Sequence, residues 1–252
     1  MKPHLLKREP LMPDQVKAIL VAGGSGSRFS SGIDGEPTPK QFRPINGYRL
    51  YIWSLSRLYS NTDIAHTVVT CPEAYIDEIT RELKEIFPLP KISVVTGGAT
   101  RQESVYLALR KMLELGAPRY VLIHDAARPF VSAEIVDAAI NTVRSGAACT
   151  VATPVVDTLK VVDEKKIVST VDRSRLYAVQ TPQAAPFDLL LSCHEKAREN
   201  GLGVTDDAGI LEAFGHEVRI FLGSPGNLKV TVQEDFKTCE LLSPLYLPER
   251  PL

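Results

Sequence analysis

The 252-residue chain lacks an excess of charge of either sign: 29 Lys and Arg stand against 30 Asp and Glu, for a formal net charge of −1. Proteins that grip nucleic-acid backbones carry a basic excess, so nucleic acid is not an expected partner. Long apolar runs are missing too. The longest stretches without a charged residue, 145–156 and 176–187, fall far short of the ~18–20 apolar residues that span a bilayer, so no membrane association is expected. Residues 1–15 carry charges and prolines where a secretory leader has an apolar core. Cysteine is scarce. Cys71, Cys149, Cys193 and Cys239 form no C-x-x-C pair, and their wide spacing is neither a zinc frame nor a disulfide scaffold. They read as reduced, mostly buried thiols of a cytoplasmic protein, or of a plastid stroma.

What is present is an ordinary globular balance, 44% hydrophobic and 23% charged. A chain this long buries ~70% of its unfolded surface and needs no staple. Residues 1–16 read as an extension, 17–243 as one domain and 244–252 as a tail. Short apolar runs of strand length recur at 17–22, His66–Cys71, Lys91–Thr96, Tyr120–His124 and Ala148–Pro154. Between them lie helical periods. Val105, Ala108, Leu109, Met112 and Leu113 share a face, as do Ile135, Val136, Ala139, Ile140 and Val143. Thr100 and Glu103 form a capping box, and Ser132 suits an N-cap. This alternation predicts an α/β fold with a mostly parallel sheet, whose ligands sit beyond the carboxyl ends of the strands. Residues 157–173 break the pattern and read as a half-polar β-hairpin, either an edge hairpin or an arm for a second subunit.

The unusual residues follow strand ends. Ala22-Gly23-Gly24-Ser25-Gly26-Ser27-Arg28 can bring backbone N–H groups close to a phosphate, with Arg28 as a two-pronged partner. It is neither a dinucleotide fingerprint, which needs glycine where Phe29 stands, nor a P-loop; a plain strand-to-helix turn is the alternative. Lys40 follows a Gly/Pro-rich stretch. Asp125 and Arg128 end the fourth strand: Asp125 suits Mg²⁺ and Arg128 an anion, unless the two simply pair. Thr205 reads as the N-cap of a helix opening with two acids, and Lys229 lies at another strand end. Arg28, Lys40, Asp125, Arg128, Arg173 and Lys229 together put one acid among five cations, a set suited to two phosphorylated ligands.

These motifs resemble the 2-C-methyl-D-erythritol 4-phosphate cytidylyltransferase family. The likeness runs from about Ala18 to Thr238. It includes the glycine loop, Pro39-Lys40-Gln41, Gly97-Gly98-x-x-Arg101-x-x-Ser104-Val105, His124 to Pro129, Asp157-Thr158-Leu159-Lys160 and Asp172-Arg173. It continues through Gln180-Thr181-Pro182-Gln183, Thr205 to Ala208 and Asn227 to Thr231. The resemblance implies a Rossmann-like nucleotidyltransferase domain with a protruding β-arm, a homodimer, and Mg²⁺-dependent transfer of CMP from CTP to the polyol phosphate. It implies catalytic roles for Arg28, Lys40, Arg173 and Lys229. It implies a CTP pocket of Ala22, Gly23, Gly24, Gly26, Gly97, Arg101 and Ser104. Asp125, Arg128, Thr158, Arg173 and Thr205 would hold the sugar phosphate, with Asp125 also at the metal. Three departures stand out: a longer Arg28–Lys40 stretch, expected to form a lid over 29–39 that is disordered without CTP, an N-terminal extension, and Tyr177 where Trp is common. Competing readings are a ribitol-5-phosphate cytidylyltransferase, a sugar nucleotidyltransferase using UTP or GTP, and a non-catalytic nucleotide-binding module.

Overall fold

The computed structural model describes residues 14–23, 39–87 and 90–252. Residues 1–13 of the expected extension, Gly24, Gly26, Arg28 and the expected lid up to residue 38 lie outside that set.

The chain opens with β1 (Val16–Val21), one residue earlier than its apolar run suggests, and a small hairpin of β2 (Pro44–Ile45) and β3 (Tyr48–Arg49). Then come α1 (Leu50–Tyr59), β4 (Ile64–Cys71), α2 (Ile76–Ile86), β5 (Ile92–Thr96) and α3 (Arg101–Glu114). The second half holds β6 (Tyr120–Asp125), α4 (Ala133–Arg144), β7 (Ala148–Pro154), and the hairpin of β8 (Lys160–Asp163) and β9 (Lys166–Thr170). It ends with β10 (Tyr177–Pro186), α5 (Phe187–Glu199), α6 (Asp207–Ala213), β11 (Val218–Leu222) and α7 (Gln233–Tyr246).

The main sheet runs β11-β7-β10-β6-β1-β4-β5. β1 pairs in parallel with β4 and β6, β4 with β5, and β11 with β7. β10 runs antiparallel to β6 and β7, because it returns from β7 through a hairpin rather than a helix. β1 is apolar apart from Lys17, because both faces are covered. Ala18 and Leu20 pack with residues of α1, α2 and α4, while Ile19 packs with α3, α5 and α6. Lys17 is buried in this strand, and its ammonium donates to the carbonyls of Leu115 at 2.8 Å and Gly116 at 2.5 Å. It thereby satisfies acceptors left open where α3 ends.

Both expected caps form: Thr100 Oγ1 accepts from Glu103 N at 3.0 Å and Ser132 Oγ from Ile135 N at 3.4 Å. The tail boundary moves. α7 runs three residues past 243, through Pro244. Proline cannot donate to the Glu240 carbonyl, and the Ser243 hydroxyl donates to it instead at 2.9 Å. In the 157–173 hairpin the turn is Glu164–Lys165, both at positive φ (43° and 67°), the two-residue geometry that matches strand twist; Lys166 belongs to β9.

Candidate active site

The turns leaving β1 and β5 meet over the end of β4. Ala22 N donates to Thr70 O at 3.0 Å and Gly97 N to Cys71 O at 2.8 Å. A Cβ on Gly97 would stand 3.3 Å from Gly23 Cα, and one on Gly23 would stand 2.9 Å from Ser104 Oγ. Both glycines are there because the two backbones touch. Ser104 ties this junction to α3: its hydroxyl donates to Thr100 O at 2.9 Å and accepts from Gly98 N at 3.0 Å. Ala22, Gly23, Gly97 and Ser104, distant in sequence, are therefore brought together.

Two expected lysines join them. Gln41 Nε2 donates to Ala22 O at 2.7 Å and so pins the short turn carrying Lys40 to the end of β1. Lys40 Nζ donates to Val230 O at 2.5 Å, beside Lys229. The Asn227–Thr231 segment is itself held from several sides. Val230 N donates to Ala127 O at 2.9 Å, Asn227 Nδ2 to Thr181 O at 2.9 Å, and Thr231 N to Asp235 Oδ2 at 2.7 Å. Arg128 belongs to this scaffold: it is buried, and its Nη1 donates to Asn227 O at 2.7 Å. That bond braces the segment from behind.

Lys229 Nζ reaches Asp125 Oδ2 at 2.6 Å, and Arg101 Nε reaches Asp125 Oδ1 at 3.0 Å. Arg101 Nη1 also bonds Asp207 Oδ2 at 2.8 Å. Burial alone would raise the Asp125 carboxyl, but Arg101 and Lys229 outweigh it and hold it well below the usual carboxylate range. Arg101, expected at CTP, thus commits two of its nitrogens to carboxylates. Asp125 fits poorly as a magnesium ligand, since each of its oxygens is already held by a cation. No group of three His, Cys, Asp or Glu among the described residues could hold a metal ion. The expected ratio of one acid to five cations is also revised, because Asp206, Asp207 and Asp235 join the cluster.

His124 lies behind Asp125. Asp125 N donates to Thr181 Oγ1 at 3.0 Å, Thr181 Oγ1 meets His124 Nδ1 at 3.0 Å, and His124 Nε2 meets Arg128 O at 3.1 Å. A carbonyl only accepts, so Nε2–H donates to Arg128 O; burial disfavours the charged ring, so Nδ1 takes the hydroxyl proton of Thr181 and the imidazole is neutral. Burial pushes its pKa down to about 4 from 6.5. Between those values the unfolded chain binds a proton that the folded chain refuses, so stability falls as pH drops through this window, by about 3 kcal/mol. His66 is shifted the same way by burial, so the expected result is a difference. Urea unfolding at pH 7 and pH 5 should show a smaller acid loss in His124→Asn than in the unchanged protein. Equal losses would contradict the assignment.

Thr205 is exposed and is not the cap of α6. Asp206 is: its Oδ1 accepts from Gly209 N at 3.0 Å. Gln183, buried on β10, anchors this turn. Its Nε2 donates to Thr150 Oγ1 at 3.0 Å and Asp206 Oδ2 at 2.7 Å, and its Oε1 accepts from Asp207 N at 2.9 Å and Ala208 N at 3.0 Å. The sequence reading gave Gln183 no role of its own and Asp207 only that of an acid at a helix start. A glutamine between Pro182 and two alanines in a buried strand is the signal, because such a side chain must find partners.

Thr158 and Arg173 are not brought to the cluster within this chain. Both are exposed, and the Arg173 side chain has no hydrogen bond or ion pair among the described residues. The hairpin between them shows Val162 at 56%, Ile167 at 67% and Val168 at 63% exposed.

Comparison with known proteins points to one family. A family model described as 2-C-methyl-D-erythritol 4-phosphate cytidylyltransferase matches residues 16–243. The protein of that name from Clostridium beijerinckii is 37% identical over 226 residues, covering 89% of this chain and 96% of the relative. The one from Symbiobacterium thermophilum is 38% identical, over 90% and 92%. The crystal structure of 4-diphosphocytidyl-2C-methyl-D-erythritol synthase from Anaerococcus prevotii superposes with a TM-score of 0.78 at 26% identity, over 92% of this chain and 96% of that one. Matched over nearly its whole length, the chain belongs to the 2-C-methyl-D-erythritol 4-phosphate cytidylyltransferase family.

Proposed function

We infer that this chain transfers the CMP group of CTP to 2-C-methyl-D-erythritol 4-phosphate and releases pyrophosphate. The observation that carries the reading is the meeting of Lys40 and the Lys229 segment, joined by the 2.5 Å bond from Lys40 to Val230 O, beside the Gly23–Gly97 junction. An oxygen of the acceptor phosphate attacks the α-phosphorus, and the bond from that phosphorus to the bridging oxygen of the β-phosphate breaks. The attacking monoester is largely ionised near neutral pH, so no protein base is required. What remains is orientation and stabilisation of charge. Lys229 and Lys40 supply positive charge, together with Arg28 from the sequence reading. Ala22, Gly23, Gly97 and Ser104 surround the nucleoside. Asp125 holds Lys229 and, with the turn presenting Thr205, lines the acceptor side.

Mg²⁺ is expected from the resemblance. The site carboxylates Asp125, Asp206 and Asp207 are all engaged by donors of the chain itself, so the ion would take its ligands from the phosphate oxygens.

The exposed apolar hairpin supports a homodimer. An isolated two-stranded ribbon is marginal in water, and apolar residues on it call for a covering surface. In this reading Thr158 and Arg173 reach the acceptor phosphate of the partner subunit. Arg173→Ala should raise the KM for the acceptor about 10–100-fold, the worth of one charged hydrogen bond, while the KM for CTP stays within about twofold. Steady-state kinetics at saturating CTP check this, and equal changes in both constants would refute it. None of the four buried cysteines is in a disulfide, as suits a reducing compartment, and we place the reaction in the cytoplasm.

The test is pyrophosphate release with CTP, UTP, GTP or ATP, each offered with methylerythritol phosphate and with ribitol 5-phosphate. Release confined to CTP with methylerythritol phosphate supports the reading. Preference for ribitol 5-phosphate or for another nucleotide refutes it.

A further inference from the structure

The strand-end charges continue away from the site into the core and end on a histidine for which the transfer has no direct use. His194, on α5, is fully buried. Its Nε2 lies 3.2 Å from Asp207 Oδ1, and Asp207 Oδ2 takes Arg101 Nη1 at 2.8 Å. Arg101 Nε then reaches Asp125 Oδ1 at 3.0 Å, and Asp125 Oδ2 takes Lys229 Nζ at 2.6 Å. Each carboxylate is held through both oxygens by donors on opposite sides, so neither can move without moving the next. An ionised carboxylate only accepts, so the Nε2 of His194 carries the proton. Among the described residues its Nδ1 has no hydrogen-bond partner. The neighbouring buried positions of α5 are apolar, among them Leu190, Leu191 and Ala197. A half-satisfied imidazole is a costly choice there compared with leucine.

We propose that His194 is a positioning residue for the transfer, fixing Asp207 and through it Arg101, Asp125 and the ammonium of Lys229. The proposal rests on the functional reading above and deepens it. α3, α5 and α6 act as a rigid backing for one cation at the strand ends. Removing His194 frees one oxygen of Asp207, lets Arg101 re-seat, and loosens Asp125 against Lys229. A small misplacement of a group that orients reacting phosphates is expensive in rate.

The test is a double-mutant cycle on the full chain, read as kcat/KM for pyrophosphate release with CTP and methylerythritol phosphate, each variant also checked by thermal melting. His194→Leu should lower kcat/KM about tenfold. His194→Gln, whose amide extends far enough to donate to Asp207, should recover to within about threefold of the unchanged protein. In a Lys229→Met background, His194→Leu should change kcat/KM by less than about twofold, because the residue through which it acts is gone. If His194→Leu does not fold, His194→Asn, whose amide stops short of Asp207, runs the same cycle. Equal losses in both backgrounds, no loss in either, or no recovery in His194→Gln would overturn the proposal. Absence of turnover in the unchanged protein would instead overturn the functional reading on which it rests.

Discussion

Replacing Lys229 with methionine should lower kcat about 10²–10³-fold, the usual cost of removing one charged donor aimed at charge that develops during reaction. The side chain is placed for that work. Its ammonium is 2.6 Å from Asp125 Oδ2, and the side chain is still 38% exposed, so one end is fixed while the group stays open to a ligand. The backbone on either side is clamped by Ala127, Lys40 and Asp235, which leaves methionine little reason to move it. Methionine keeps the apolar stem and removes only the charge. The fold should survive, because Asp125 retains Arg101. Single-turnover rates at saturating CTP and acceptor measure the effect, and a rate within about twofold of the unchanged protein would remove Lys229 from the mechanism.

Asp125→Asn should cost both stability and rate. The carboxylate sits between Arg101 and Lys229, and an amide of the same shape leaves two cations facing each other. Breaking a buried pair costs about 3–5 kcal/mol; the exposure of Lys229 to screening water brings the expected loss to roughly 2–3 kcal/mol. The rate should fall about 10²-fold as Lys229 loses its anchor. The sign of the pH effect follows from the depressed carboxyl. Asp125 contributes stability in full above its unfolded value, about pH 4, and loses it as pH falls below that toward the lower folded value. The variant should therefore show a shallower loss of stability below pH 4 than the unchanged protein, while the lower edge of the His124 window moves further down, because the Asp125 charge is one of the influences that raise His124. Denaturant titrations across pH 2.5–7 separate the two. An unchanged slope below pH 4 would contradict the ion-pair assignment.

Much of the scaffold was legible because its physics is local. Parallel strands buried on both faces read as mostly apolar runs, as β1, β6 and β7 do, and α3 and α4 announce themselves through caps and one-sided periods. α1 is less readable because Leu50, Tyr51, Ile52, Trp53 and Leu55 are all buried, which erases the polar face. β10 hides its antiparallel course behind Gln180, Thr181 and Gln183, polar residues whose partners come from β6, β7, α6 and the 224–227 turn. At the site, glycines and lysines at strand ends were visible as types. The contacts that give them roles were not: Gly23 meets Gly97 across 74 positions, and Lys40 meets Val230 across 190. Thr205 was misplaced by one residue because threonine and aspartate both serve as caps; aspartate is the stronger of the two, and Gln183 anchors Asp206 in that place. Arg101 was implied at CTP by the resemblance and Arg128 read as an anion partner by its type; the bonds of Arg101 to Asp125 and Asp207 and of Arg128 to Asn227 O lay beyond the sequence.

The account stands most directly on one ³¹P NMR spectrum, taken with the unchanged protein, CTP, 2-C-methyl-D-erythritol 4-phosphate and Mg²⁺. The expected result is loss of the acceptor monoester signal, new resonances of a pyrophosphate diester, and one equivalent of free pyrophosphate. Nothing should change when the acceptor is left out. Formation of inorganic phosphate in place of pyrophosphate, or an unchanged spectrum with the acceptor present, would contradict it.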